Sequence, residues 1–177
     1  MKKLAAIILA ILMFTGIACA DTITEKSGEI KIGDTLEITP CTITFDSAKE
    51  YDEMKFTQAE TGDFDHVLSK NDQNSTYIAI KGTFSNNSKE KFDTMGSLYG
   101  VAIVDGYEYD LSIFSTSTRI EPLQDKLFYI YALIPNKLIK VYTSCVFKIG
   151  FYEDYHLDHM KYDDEKEYDY KYEIVIK

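Results

Sequence analysis

Apolar, β-branched and aromatic residues crowd into two runs in the second half of the chain, 127–134 and 138–151, separated by the turn-prone Pro135-Asn136-Lys137. This pair, within 120–151, is the stretch most committed to structure and predicts two central strands. Upstream, 27–35 is a short extended run closed by Gly33-Asp34. In 36–45, Leu36 and Ile38 share one phase and Cys41, Ile43 and Phe45 the other. The strand therefore kinks at Pro40, which has no N–H to give to a ladder. Segment 46–75 is polar with no sustained period and reads as a long loop. Residues 76–85 predict a strand, with Ile78, Ile80 and Phe84 on one face and Tyr77, Ala79 and Lys81 on the other. A charged crossing over 89–97 follows, and then a strand over 98–104. Asp105-Gly106 is a strong hairpin signal, because it tolerates the positive φ angles of a type I′ turn, and 107–113 is the returning strand. After an acidic connection over 153–167, a last strand over 168–176 puts Tyr168, Tyr170, Tyr172, Ile174 and Ile176 on one face. No helical period of useful length occurs after the first twenty residues, so the pattern predicts an all-β antiparallel sandwich of about 7–9 strands.

Those first twenty residues are patterned differently. Lys2 and Lys3 precede an unbroken apolar core over 4–14, and Ala18-Cys19-Ala20 ends the segment as an A-x-A site. This is the three-part form of a secretory leader, too short for a membrane span of roughly 20 apolar residues. Residues 1–20 are thus expected to be a signal peptide and 21–177 a single exported domain. Gly16-Ile17-Ala18-Cys19 offers a second processing route, in which Cys19 is lipidated and holds the domain at a membrane.

Charge narrows the partners. The formal net charge of −10 becomes −12 once Lys2 and Lys3 leave, and Arg119 is the single arginine. Nucleic acid binding by phosphate neutralisation is excluded on that balance. Beyond the leader the cysteines are Cys41 and Cys145. Strand parity points both toward the core, and an even count in an exported chain predicts a Cys41–Cys145 disulfide, against the alternative of two buried thiols.

The succession IKIGDTLEI, YIAIKGTFSNNSKEKF, DGYEYD, IEPLQDKLFYIYALIP and VFKIGF resembles a family of small exported or lipid-anchored domains of unknown function from Gram-positive bacteria. These are immunoglobulin-like sandwiches akin to the secreted mycobacterial immunoprotective antigens. The resemblance spans about 30–176 and implies an immunoglobulin-like fold; it carries over no catalytic residues.

Candidate chemistry is sparse. His156 and His159, with Asp163 and Asp164 nearby, form a candidate metal constellation. The same residues also read as a solvated acidic loop. No nucleophile elbow, P-loop or dinucleotide fingerprint occurs, so neither enzymatic activity nor a cofactor is expected. Tyrosine is in excess, with 14 Tyr and no Trp. Tyr107, Tyr109, Tyr152, Tyr155 and Tyr162 are candidates for a binding surface, since Tyr offers a rigid contact area with one polar tip; half-buried strand positions account for Tyr equally well. The sequence therefore predicts a non-enzymatic exported surface domain that binds a protein or surface ligand, with 46–75 and 153–167 as contact regions. The alternatives are a metal-dependent hydrolase using His156 and His159, or a structural spacer.

Overall fold

The computed structural model describes residues 20–38, 41–62, 64–70, 72–93, 98–117, 119–151 and 168–177. Within them the chain forms β1 (Thr22–Ile23), β2 (Ser27–Ile30), β3 (Thr35–Ile38), β4 (Cys41–Tyr51), β5 (Glu53–Phe56), a single-turn helix α1 (Gln58–Thr61) and β6 (His66–Ser69). Next come β7 (Ser75–Asn86), β8 (Phe92–Asp93), β9 (Leu98–Val104), β10 (Tyr107–Asp110), β11 (Ser112–Ser115) and β12 (Arg119–Ile120). The chain ends with β13 (Asp125–Pro135), the helical turn α2 (Asn136–Ile139), β14 (Cys145–Phe151) and β15 (Tyr170–Val175).

The strands make an all-β sandwich. A six-stranded sheet, ordered β1-β3-β4-β7-β13-β11, packs against a five-stranded sheet ordered β10-β9-β14-β15-β2. Among the described residues the two sheets therefore hold more strands than the predicted 7–9. They are also not purely antiparallel, since β1 runs parallel to β3 and β2 parallel to β15. Both exceptions come from the N-terminal segment, where 22–23 is too short to give a period and the extended run at 27–35 does not reveal the direction of its pairing.

Period 2 decides which side chains enter the core. Ile43 and Phe45 of β4, Ile78, Ile80 and Phe84 of β7, and Phe128, Ile130, Ala132 and Ile134 of β13 meet Phe147, Ile149 and Phe151 of β14 and Tyr172 and Ile174 of β15. Gly82 leaves room for its neighbours within the six-stranded sheet. It lies opposite Phe45 on one side and Phe128 on the other, and a Cβ there would sit 2.3 Å from the Thr44 carbonyl oxygen and 2.5 Å from the Phe128 ring. With no side chain at 82, Phe128 packs at 4.3 Å against Phe84, the rings tilted by 37°, and meets Phe45 edge-on at 6.4 Å. The Asp105-Gly106 turn has φ values of 46° and 84°, as the type I′ expectation requires.

Four expected elements differ. Residues 36–45 form not one kinked strand but the antiparallel pair of β3 with β4, with Pro40 outside the described residues. The returning strand 107–113 divides between β10 in one sheet and β11 in the other. The run 138–151 becomes a strand only from Cys145, because α2 and a short irregular segment occupy its start. Segment 46–75 is not an open loop: β4 continues to Tyr51, and β5, α1 and β6 fold as a hairpin over the outer face of the six-stranded sheet.

The expected disulfide is absent: Cys41 and Cys145 are free thiols, both buried in the main core. Parity placed them on the right face, but not at the right height. Cys41 pairs with Asn86 at one end of the sandwich and lines a cavity together with Tyr170, which lies opposite Phe151. Cys145 is at the far end of the same β14, about 20 Å from Phe151 at roughly 3.3 Å per residue. A bridge needs Cα atoms within about 7 Å. Burial pushes both thiols up to about 12, far from the range in which a thiolate forms at neutral pH. Purified residues 21–177 should give no thiol reaction with Ellman's reagent when native, and two thiols per chain in guanidinium without reductant. Zero thiols after denaturation would restore the bridge.

Candidate functional site

One end of the sandwich collects the connections. β7 ends there at Asn86, the link from β11 to β13 crosses there, and the chain leaves β14 at Phe151 and re-enters at Tyr168. Asn86 organises this end. Its buried carboxamide nitrogen donates to the carbonyls of Glu90 at 2.7 Å and Ile120 at 3.0 Å. Its side-chain oxygen accepts from the Ser88 amide at 3.0 Å and the Ser88 hydroxyl at 2.8 Å. Its backbone donates to the Gln124 carbonyl at 3.0 Å and accepts from the Leu123 amide at 2.9 Å. One side chain thus joins the β7–β9 connection to the β11–β13 connection, helped by the short β8–β12 ladder.

The β11–β13 connection closes with the turn Glu121-Pro122-Leu123-Gln124, in which Leu123 has φ 58° and is 83% exposed. A left-handed backbone costs a side-chain-bearing residue roughly 1–2 kcal/mol. Lys91 and Glu121 pair at 2.8 Å beside it, both well exposed, which contributes at most about 1 kcal/mol. Between this end and the N-terminal edge lies an open cavity of about 570 Å³, lined by Thr24, Glu37, Thr42, Asn87, Ser88 and Tyr170 among others. Its walls offer hydroxyl, amide and carboxylate groups, enough for polar contact.

At the opposite end the connections are capped by their own side chains. The Asp105 carboxylate accepts from the amides of Thr143 and Ser144 and from the Thr143 hydroxyl, at 2.8–3.2 Å, and these bonds hold it below the usual carboxylate range. Tyr142 is buried and donates to Glu50 at 3.1 Å; burial first, and then that carboxylate, push its hydroxyl up to about 12. Tyr107 is exposed at this end, following the Asp105-Gly106 turn, and Tyr109 packs half-buried against the main core. The structure therefore separates Tyr107 and Tyr109 from the connection-rich end. The other candidates, Cys19, Tyr152, Tyr155, Tyr162, His156, His159, Asp163 and Asp164, lie outside the described residues. Among the described residues no group of three or more His, Cys, Asp or Glu is placed to hold a metal ion.

The hairpin over the outer face is the feature that sequence reasoning missed. Met54, Phe56 and Leu68 press onto Tyr77, Ala79, Tyr129 and their neighbours in a second core. Phe56 lies 5.0 Å from Tyr129 and 5.1 Å from Phe114, ring to ring. The Tyr129 hydroxyl donates to the Lys55 carbonyl at 3.2 Å. Lys81 reaches up from β7 to Glu60 at 2.5 Å, with its ammonium 5.9 Å from the rings of both Phe56 and Tyr129. That bond and the Thr57 amide hold the Glu60 carboxyl down to about 2. The unbroken apolar runs 77–80 and 129–134 were the available signal, since a strand exposed on one face alternates instead.

A scan against family models found no match, and neither did a search of curated proteins. Among solved structures the chain is similar to an uncharacterized β-sandwich protein from Clostridium difficile, with a TM-score of 0.61, 15% identity, and coverage of 88% of this chain and 97% of that one. A weaker likeness, with a TM-score of 0.43 and 8% identity, is to a conserved hypothetical protein from Bacillus anthracis, over 67% of this chain and 87% of that one. At 15% identity the first likeness speaks for the fold alone, an all-β sandwich.

Two outcomes follow for stability. Asn86→Ala should cost about 3 kcal/mol in urea unfolding, because it removes all four bonds of the buried carboxamide, the one to the Ile120 carbonyl included; a loss under half of that would mean the hub is replaceable. Glu60 has a depressed folded value, so its contribution is complete above about 4.5, its ordinary value, and is lost as pH falls toward about 2. The gap in urea midpoint between the natural chain and Glu60→Gln should thus hold from neutral pH to about 4.5 and shrink below it. A gap independent of pH would refute the Glu60–Lys81 latch.

Proposed function

We propose that this chain is an exported bacterial surface module of immunoglobulin-like build, which binds a protein or surface ligand and catalyses no reaction. The strand order supports the build. β4-β7-β13-β11 facing β10-β9-β14-β15 follows the A-B-E-D and C′-C-F-G order of immunoglobulin sandwiches. In that correspondence the connections that Asn86 joins are B–C and D–E. Their convergence beside an open polar cavity is the observation that carries the binding reading, since a rigid sandwich presents contacts on its loops. The stretch 46–75 drops out as a contact loop because its hairpin is occupied with the outer face of the sheet. The leader over 1–20 supports export, and lipidation of Cys19 would keep the module at the membrane.

The test is the binding of labelled residues 21–177 to whole cells of the exporting bacterium and to its envelope fraction. Saturable binding with a Kd in the micromolar range or below, roughly −8 kcal/mol or better, is expected. Binding that only rises linearly would favour a spacer. Stoichiometric zinc in the purified chain, lost on His156→Ala with His159→Ala, would select the hydrolase instead.

A further inference from the structure

We infer that Leu123 is the apolar anchor through which the loop end engages a protein partner; this rests on the binding role above and names its contact. The turn Glu121-Pro122-Leu123-Gln124 is closed by the Gln124 amide donating to the Glu121 carbonyl at 3.2 Å. Proline followed by a positive φ is the type II pattern, and its third position belongs by preference to Gly or Asn. Leu123 occupies it instead, at φ 58° and 83% exposed.

The turn has no local means of relaxing. Its Leu123 amide is held on the Asn86 carbonyl and its Gln124 carbonyl on the Asn86 amide, at 2.9 and 3.0 Å. Leu123 therefore carries left-handed strain while packing into neither hydrophobic cluster of the fold. A strained residue that the fold itself does not use points to use outside the fold.

The side chain also selects the class of partner. A branched aliphatic group makes no hydrogen bond, so it suits neither the hydroxyls of a glycan nor the phosphates of a nucleic acid. An anionic membrane surface is opposed by a net charge that goes from −10 to −12 once Lys2 and Lys3 leave with the leader. What fits is a protein pocket of apolar character with a polar surround, the usual form of an interface hot spot. Asn87 and Ser88, which follow Asn86 and line the cavity, supply polar groups for that surround.

The experiment compares unlabelled Leu123→Gly and Tyr107→Ser chains as competitors of labelled natural chain on whole cells, with and without trypsin treatment of the cells. Leu123→Gly is expected to raise the urea midpoint and to compete at least tenfold more weakly. Tyr107→Ser, at the opposite end, is expected to compete as the natural chain does, and trypsin is expected to abolish binding. Saturable binding that Leu123→Gly competes for normally overturns the inference and leaves the binding role standing; no saturable binding overturns both. A lowered midpoint removes the strain argument, and binding that survives trypsin removes the protein partner.

Discussion

The pairing of β7 with β13, buried on both faces, is the constraint on which the remaining elements depend. Its register runs unbroken from Ser85 opposite Asp125 to Ser75 opposite Pro135. On the inner face Ile78, Ile80, Phe84, Phe128, Ile130 and Ala132 enter the main core; on the outer face Tyr77, Ala79 and Tyr129 lie under the β5–β6 hairpin. A slip of one residue would exchange those two sets. Because both faces are filled with side chains of different size, neither set fits the other side. The omission of a side chain at Gly82 tightens this further, since Phe128 takes the space left there.

That two-sided burial also explains what was and was not legible in the sequence. The strand over 76–85, the Asp105-Gly106 turn and the apolar inner rows of β13 and β14 depend on neighbours in sequence, and they appear in the fold as the pattern implied. The hairpin at 53–69 depends on what lies above Tyr77 and Tyr129, a long-range fact. Its own residues look polar because Glu53, Lys55 and Asp65 face solvent and salt bridges take the place of apolar content. The cysteines show a second limit. Period 2 tells which face a side chain takes, and it is silent about how far along the sandwich the residue sits. Leu123 shows a third: Glu-Pro-Leu-Gln does not advertise a left-handed residue, and only the backbone reveals one.

The two ends of the sandwich are built for different things. At one, the Asp105 carboxylate and the buried Tyr142 consume the polar groups of the connections, leaving them satisfied and closed. At the other, the Asn86 carboxamide fixes the backbones of two connections while leaving side chains such as Leu123 pointing outward. A buried, fully bonded amide is well suited to this, because it gives rigidity without needing the connections to pack on each other. Precise backbone with free side chains is what a contact surface requires if it is to lose little entropy on binding.

The N-terminal strap has a mechanical meaning. β1 lies along one sheet and β2 along the other, and the segment between them is held by the Tyr172 hydroxyl donating to the Glu25 carbonyl and by Lys26 over the Tyr170 ring. Asp34, buried in the next turn, accepts the amides of Asp21 and Lys31. β2 and the last strand, β15, run in the same direction, from Ser27 beside Lys171 to Ile30 beside Ile174. Tension applied between the two ends of the domain would pull these strands past one another along their length. Their hydrogen bonds would then bear the load together rather than opening one by one, so the domain resists force along this pair of strands.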